Sequence, residues 1–206
     1  MKIIVVESSD ACNKQPYKTL FNELSDCPRL WIKADSALLK NNKPFFIPEF
    51  TNECSASVYL ALRICRMGKS IPARFAYRYY DAYSAVVDFT AEDVLRQLAN
   101  IGEPWDLAKS FDGSVAVGDF VEVSDMQKAE SVEVCLNVNG EKVSLNKCEN
   151  VADLAGRVIE GVSRIFTIRQ GDLLLLGKPD KKPLVSIDDH LDTFLNGQKL
   201  LDFNVK

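Results

Sequence analysis

The side chains able to do chemistry in this 206-residue chain are few and scattered. Its one histidine, His190, sits in IDDHLD among three acids, a setting that predicts a solvated loop residue without a catalytic partner. Six cysteines (Cys12, Cys27, Cys54, Cys65, Cys135 and Cys148) contain no C-x-x-C pair, and with a single histidine no cluster has zinc spacing. No export signal is evident, so six reduced thiols in a cytoplasmic protein are expected. Cys54, beside Glu53, has no histidine to activate it and reads as a buried, inert thiol. Asp88 in VDFTAED lies two residues before Thr90, at the mouth of an expected helix. Backbone N–H groups and the helix dipole favour a carboxylate there. Lys109 in AKSFDGS is either a surface lysine or the ion-pair partner of Asp88. Lys109 or Lys178 would serve a metal-free, lysine-centred reaction only with a depressed pKa.

Composition sets the frame for these residues. Hydrophobic residues make up 47% of the chain and charged residues 26%, the proportions of a soluble globular protein. A disordered chain, a collagen-like chain and a disulfide miniprotein are excluded. Lys and Arg total 25 against 29 Asp and Glu, a net charge of −4 that offers no long-range attraction to nucleic acid or anionic membrane. The longest apolar run is about five residues, whereas a membrane span needs roughly 20. MKIIVVESSDA is too short for a signal segment and reads as a first strand. The aromatic run Phe75, Tyr77, Tyr79, Tyr80 and Tyr83 has no basic groove beside it and is read as packing. RICRMGK is read as a solvated strand end.

The elements that must position the candidates follow from periodicity. Ile3 to Val6 open a strand, and an amphipathic helix is expected with Leu20, Phe21 and Leu24 on one face. SASVYLALRI alternates as a strand, with Ala56, Val58, Leu60 and Leu62 on one face and Ser55, Ser57, Tyr59 and Ala61 on the other. AYSAVVDFT is a second strand ending at Asp88. Thr90 is expected to cap the helix AEDVLRQLANI, with Asp93 in the capping-box position and Gly102 closing it. PWDLAKSFDGS reads as a loop and VAVGDFVEV as a strand. Asn139-Gly140 between two alternating runs predicts a hairpin with a type I′ turn. NVADLAGRVIEGVSRIF reads as a helix, GDLLLLGKP as a buried strand, and short strands close the chain around Asn196-Gly197. The class is α+β, mainly β, in a single domain over residues 1–206, with residues 1–50 packed on it as an N-terminal segment.

The succession RLWIKADSALL, PFFIP, VDFTAED, PW, AKSFDGS, VNGE and GDLLLLGKP resembles the fumarylacetoacetate hydrolase family over nearly the whole chain. Within the family it is most similar to short bacterial hydrolases, hydratases and isomerases of 2-oxo acids. The resemblance implies a rolled mixed β-sheet and a homodimer. It also implies one Mg2+ or Mn2+ held by a Glu-x-Glu pair and an Asp, acting on acylpyruvate-like diketones. A hard divalent ion takes oxygen ligands, and there it would stabilise the enolate developing on a chelated 2-oxo carboxylate.

Carried onto this chain, the resemblance places the Glu pair at Ser57 and Tyr59, neither of them a carboxylate. A register shifted by two places it at Ser55 and Ser57, and Glu53 is the one acid nearby. Asp88 matches the third ligand and Lys109 the family lysine. The family Arg is Glu92, the T-G-T-P motif is Leu176 to Pro179 with Lys178 at its second Thr, and the early N-Y-x-x-H has become Ser9, Asp10 and Asn13. The resemblance then implies a divergent, catalytically impaired member. Its metal site is dismantled, and Asp88 (metal), Lys109 (catalytic) and Lys178 (substrate-binding) are the remnants. No cofactor is expected, and Mg2+ or Mn2+ only if the site survives weakly. Such a pseudoenzyme would bind a small 2-oxo acid or partner an active paralogue. The alternative is an active metal-dependent hydrolase, hydratase or isomerase acting on acylpyruvate or 2-oxo diacids.

Overall fold

The computed structural model describes residues 1–7, 29–126 and 131–206. The expected helix around Leu20, Phe21 and Leu24, with Ser9, Asp10, Asn13, Cys12 and Cys27, lies outside them. In chain order the strands are β1 (Ile3–Glu7), β2 (Arg29–Lys33), β3 (Leu38–Leu39), β4 (Cys54–Ile64), β5 (Tyr80–Ala91), β6 (Val115–Val117) and β7 (Val121–Glu122). They continue with β8 (Ser131–Val138), β9 (Glu141–Glu149), β10 (Leu173–Gly177), β11 (Leu184–Val185), β12 (His190–Leu195) and β13 (Gln198–Asn204). The helices used below are α1 (Glu92–Ile101), α2 (Asp106–Lys109) and α3 (Val151–Ile165).

Two sheets form among the described residues. The larger runs β2-β1-β10-β4-β5-β6-β3, with β11 also on β4 and β7 on β5, and the smaller runs β13-β12-β8-β9. The larger sheet is mixed: β1 lies parallel to β10 and β3 to β6, and the other pairs are antiparallel. At its centre β4 and β5 pair over eleven residue pairs, with Ser57 opposite Asp88 and Tyr59 opposite Val86.

Alternation along β4 sorts its side chains onto the two faces as the sequence predicts. Ala56, Val58, Leu60 and Leu62 join a core with Val132, Val134 and Leu136 of β8, Val158, Ile159 and Val162 of α3, and Phe203 of β13. Each such fully buried aliphatic or aromatic side chain contributes roughly 1.5–3 kcal/mol. This large cluster is therefore the main source of hydrophobic stabilisation. The opposite face holds a smaller cluster: Ile3, Val5, Tyr59, Ala61, Val86, Val115, Leu173 and Leu175, with Trp31 and Leu38 against it. The functional candidates gather on this second face.

The hairpin at Asn139-Gly140 forms with both residues at positive φ (53° and 83°), and Gly102 ends α1 at φ 76°. Four local expectations are corrected. β5 runs on to Ala91, which takes the N-cap position of α1 without a side-chain bond. The Asp93 carboxylate instead accepts from the Thr51 hydroxyl and the Asn52 amide, tying the helix to the β4 entry. PWDLAKSFDGS contains the short helix α2. VAVGDFVEV is broken into β6 and β7, and at Gly118 a Cβ would lie 2.7 Å from the Leu200 carbonyl oxygen. His190, expected in a loop, opens β12, where its Nε2 lies 3.2 Å from Asp202 and its Nδ1 3.1 Å from Asn204.

Candidate functional site

Strand pairing gathers the site by a period-2 rule. On β1, Ile3, Val5 and Glu7 share a face, and antiparallel pairing sets them opposite Lys33, Trp31 and Arg29 of β2. On β4 and β5 the same side carries Ser55, Ser57 and Tyr59 and Val86, Asp88 and Thr90. Lys109 enters from the end of α2, buried to 8% exposure. Four sheet strands and one short helix thus bring two carboxylates, a phenol and two buried amines to one place.

Their pairing differs from expectation. Asp88, 1% exposed, forms its ion pair with Lys33, which is fully buried. The backbone N–H groups expected for Asp88 do not reach it, and the Lys33 ammonium is its polar partner among the described residues. Lys33 Nζ also donates to the Phe89 and Ser114 carbonyls at 3.2 and 3.3 Å and to Ser114 Oγ at 3.3 Å. Burial pushes the Lys33 pKa down, against the pull of the Asp88 charge. The Asp88–Lys109 pair weighed from the sequence does not form. Lys109 Nζ donates to Thr90 Oγ1 at 3.1 Å and lies 4.5 Å from the centroid of the Trp31 ring. Burial lowers its pKa as well, with the Lys182 charge adding to the effect and Asp88 opposing it.

Tyr59 is fully buried and its hydroxyl donates to Glu7 Oε2, which also accepts from Lys182 Nζ at 2.8 Å. Burial alone would raise the Glu7 carboxyl, but Lys182 and the Tyr59 hydroxyl together hold it below the usual range. Burial and the Glu7 charge push the Tyr59 phenol well up. Glu92, at the position where the resemblance implies an Arg, accepts from Ser55 Oγ at 2.5 Å. Two cavities adjoin these groups. One, of about 290 Å3, is lined by residues including Glu7, Arg29, Trp31, Glu92, Lys109 and Lys182. The other, of about 460 Å3, shares Trp31, Trp105 and Lys109 with it.

The sequence candidates therefore separate. Asp88, Lys109, Ser57 and Tyr59 do come together. Lys178 is exposed beyond β10, its backbone N–H donating to Asn146 Oδ1, and lines neither cavity. Glu53 turns outward to Arg96 at 2.7 Å. Cys54 is buried and its thiol is pushed up to about 12 by burial, as an inert thiol requires. Among the described residues Cys54, Cys65, Cys135 and Cys148 are free thiols. Of the aromatic run, Tyr80 and Tyr83 are buried, while Tyr77 is 62% exposed.

Sequence reasoning missed Lys33, Glu7 and Lys182. The signal for the first was present. In RLWIK, Arg29, Trp31 and Lys33 recur at i and i+2, so a strand must place all three on one face. Nothing local marks Lys182 in PDKKPL, because its partner Glu7 lies 175 residues away.

A mixed, curled sheet of this strand order is the fold that the family resemblance implied, and comparison with known proteins agrees. The family described as "Fumarylacetoacetate (FAA) hydrolase C-terminal" matches residues 2–202, and the chain belongs to the fumarylacetoacetate hydrolase family. Mouse mitochondrial oxaloacetate tautomerase FAHD1 is 30% identical over 179 residues, covering 87% of this chain and 81% of that protein. The Caenorhabditis elegans oxaloacetate tautomerase is 27% identical over 187 residues, covering 91% and 87%. Among solved structures, the fumarylpyruvate hydrolase of Pseudomonas aeruginosa in complex with Mn2+ and pyruvate superposes with a TM-score of 0.84. It is 20% identical, with 100% of this chain and 89% of that chain covered, a likeness of fold. No described helix is long and apolar enough to cross a membrane.

Proposed function

We propose that this chain binds a small 2-oxo acid in the cavity beside Lys109 without a divalent ion, and that it is impaired in metal-dependent chemistry of its family's kind. The observation that carries this is the Lys33–Asp88 ion pair. Of the three positions that the resemblance assigns to metal ligands, one holds a carboxylate, and a buried ammonium already neutralises it. The other two hold Ser57 and Tyr59, whose hydroxyl is committed to Glu7. A hard divalent ion needs several oxygen ligands, carboxylates foremost, and would meet the positive charges of Lys33 and Lys109 here. These residues do not fit such an ion.

An oxo acid remains a good match for what is left. Arg29 and Lys109 line one cavity, beside Lys182 held on Glu7, giving a carboxylate cationic partners, while Trp31 and Trp105 supply an apolar wall. Calorimetric titration separates this reading from an active metalloenzyme. Mn2+ is expected to bind no tighter than millimolar, and pyruvate to bind saturably in the presence of EDTA. Micromolar Mn2+ affinity, or pyruvate binding that requires Mn2+, would instead support a metal-dependent hydrolase, hydratase or isomerase.

A further inference from the structure

Resting on the oxo-acid reading above, we propose that Lys109 captures the keto carbon of a 2-oxo acid as an imine. Two buried lysines, Lys33 and Lys109, and the exposed Lys182 approach the site, and their partners differ. Lys33 is held by Asp88, two carbonyls and a hydroxyl, and lines neither cavity. Lys182 is held by Glu7. Lys109 alone of these three has no carboxylate in direct contact among the described residues: its neighbours are the Thr90 hydroxyl and the Trp31 indole face. It also lines both cavities. An amine desolvated against an aromatic wall, with other cations close by, is the setting in which lysine acts as a nucleophile.

The bond changes balance without any further reactant. The neutral Nζ lone pair attacks the keto carbon, and the carbonyl π pair moves to oxygen, which takes a proton originally on nitrogen. The Thr90 hydroxyl, already bonded to Nζ, is placed to relay it. The proton that the ammonium shed on becoming the neutral amine returns to the carbinolamine hydroxyl, which leaves as water while the nitrogen lone pair forms the protonated C=N bond to Lys109. Overall an ammonium and a ketone give an iminium and one water, with charge conserved. The substrate carboxylate finds Arg29 in the same cavity. The iminium withdraws electrons from the neighbouring carbon, so electron demand is supplied by this chain's own nitrogen.

Sodium cyanoborohydride reduces an iminium to a stable secondary amine by adding hydride to carbon. The full chain, incubated with pyruvate, EDTA and cyanoborohydride near neutral pH, should gain the mass of pyruvic acid less one oxygen atom. Peptide mapping should place that label on Lys109 in clear excess over every other lysine. Lys109→Met and Lys109→Arg should lose it. Label spread evenly over surface lysines, or no label, overturns the proposal, and mapping of the unaltered protein decides this even if the variants fail to fold. Calorimetry on the same sample distinguishes the two readings. Pyruvate binding without label defeats the imine alone, whereas neither binding nor label defeats the oxo-acid site as well.

Discussion

The larger sheet and the smaller sheet each set a lysine against aspartates, with opposite physical consequences. In the larger sheet Lys33 meets Asp88 with side chains 0% and 1% exposed. In the smaller one Lys199 bridges Asp192 and Asp202, each at 2.8 Å, with its own side chain 44% exposed. Burial lowers the Lys33 pKa despite its partner, whereas hydrogen bonds to Asp192 and Asp202 raise that of Lys199 to about 12. The same pair of functional groups is fully buried in one place, while in the other the ammonium and Asp202 face solvent and only Asp192 is buried. Water makes the difference, because desolvating a charge costs several kcal/mol per ion and only a close partner offsets it. The smaller-sheet group also holds His190, Asp192 and Asp202 with ligand-type atoms within 4.8 Å of one another. The Lys199 ammonium already pairs with both aspartates and offsets one of their two charges.

The largest effect expected from this contrast is at Lys33. Lys33→Met leaves the Asp88 carboxylate buried with no donor, which should cost about 3–5 kcal/mol of stability in urea unfolding. Lys33→Met combined with Asp88→Leu should recover most of that loss, since removing both charges removes the desolvation term. Equal losses for the single and double variants would mean that packing, not charge, dominates the site.

A smaller effect, readable through its pH dependence, is expected at Lys109. Its folded-state pKa lies below the ordinary lysine value because of burial. Between the two values the unfolded chain binds more protons, so this residue's contribution to stability rises with pH across that window. Lys109→Met, which has no such titration, should therefore gain stability relative to the unaltered protein at neutral pH. The advantage should shrink as pH climbs towards the ordinary lysine range. Urea midpoints of the two proteins, compared at several pH values, check this, and a difference independent of pH would place the ammonium in solvent.

The smallest effect belongs to the exposed region. Lys199→Ala should lower the urea midpoint by less than Lys33→Met does, because Lys199 and Asp202 are screened by solvent and salt and only Asp192 is buried. A loss comparable to that of Lys33→Met would erase the distinction between the two sheets.

Much of the architecture was legible from the order of residues. The two faces of β4, the Asn139-Gly140 and Asn196-Gly197 hairpins, the α3 helix and its apolar side all follow from periods of 2 and 3.6 and from residues that tolerate positive φ. That Ser55, Ser57 and Tyr59 share one face of β4 was equally visible, because alternation alone sorts them there. The break between β6 and β7 was not, since the close approach at Gly118 comes from the Leu200 carbonyl, more than 80 residues away.

What the chain determined by itself is thus which side of each strand a residue occupies, and which residue types share that side. That information is local, carried by chirality and alternation within a few positions. The partner of each charge was decided only by the tertiary structure. Asp88 meets Lys33 from β2 rather than Lys109, Glu7 meets Lys182 across 175 positions, and Lys109 is left with a hydroxyl and an indole. Which charges meet depends on strand order and on how completely water is excluded. Both are properties of the packed sheet, because the energy of an ion pair is set by its surroundings as much as by its two members.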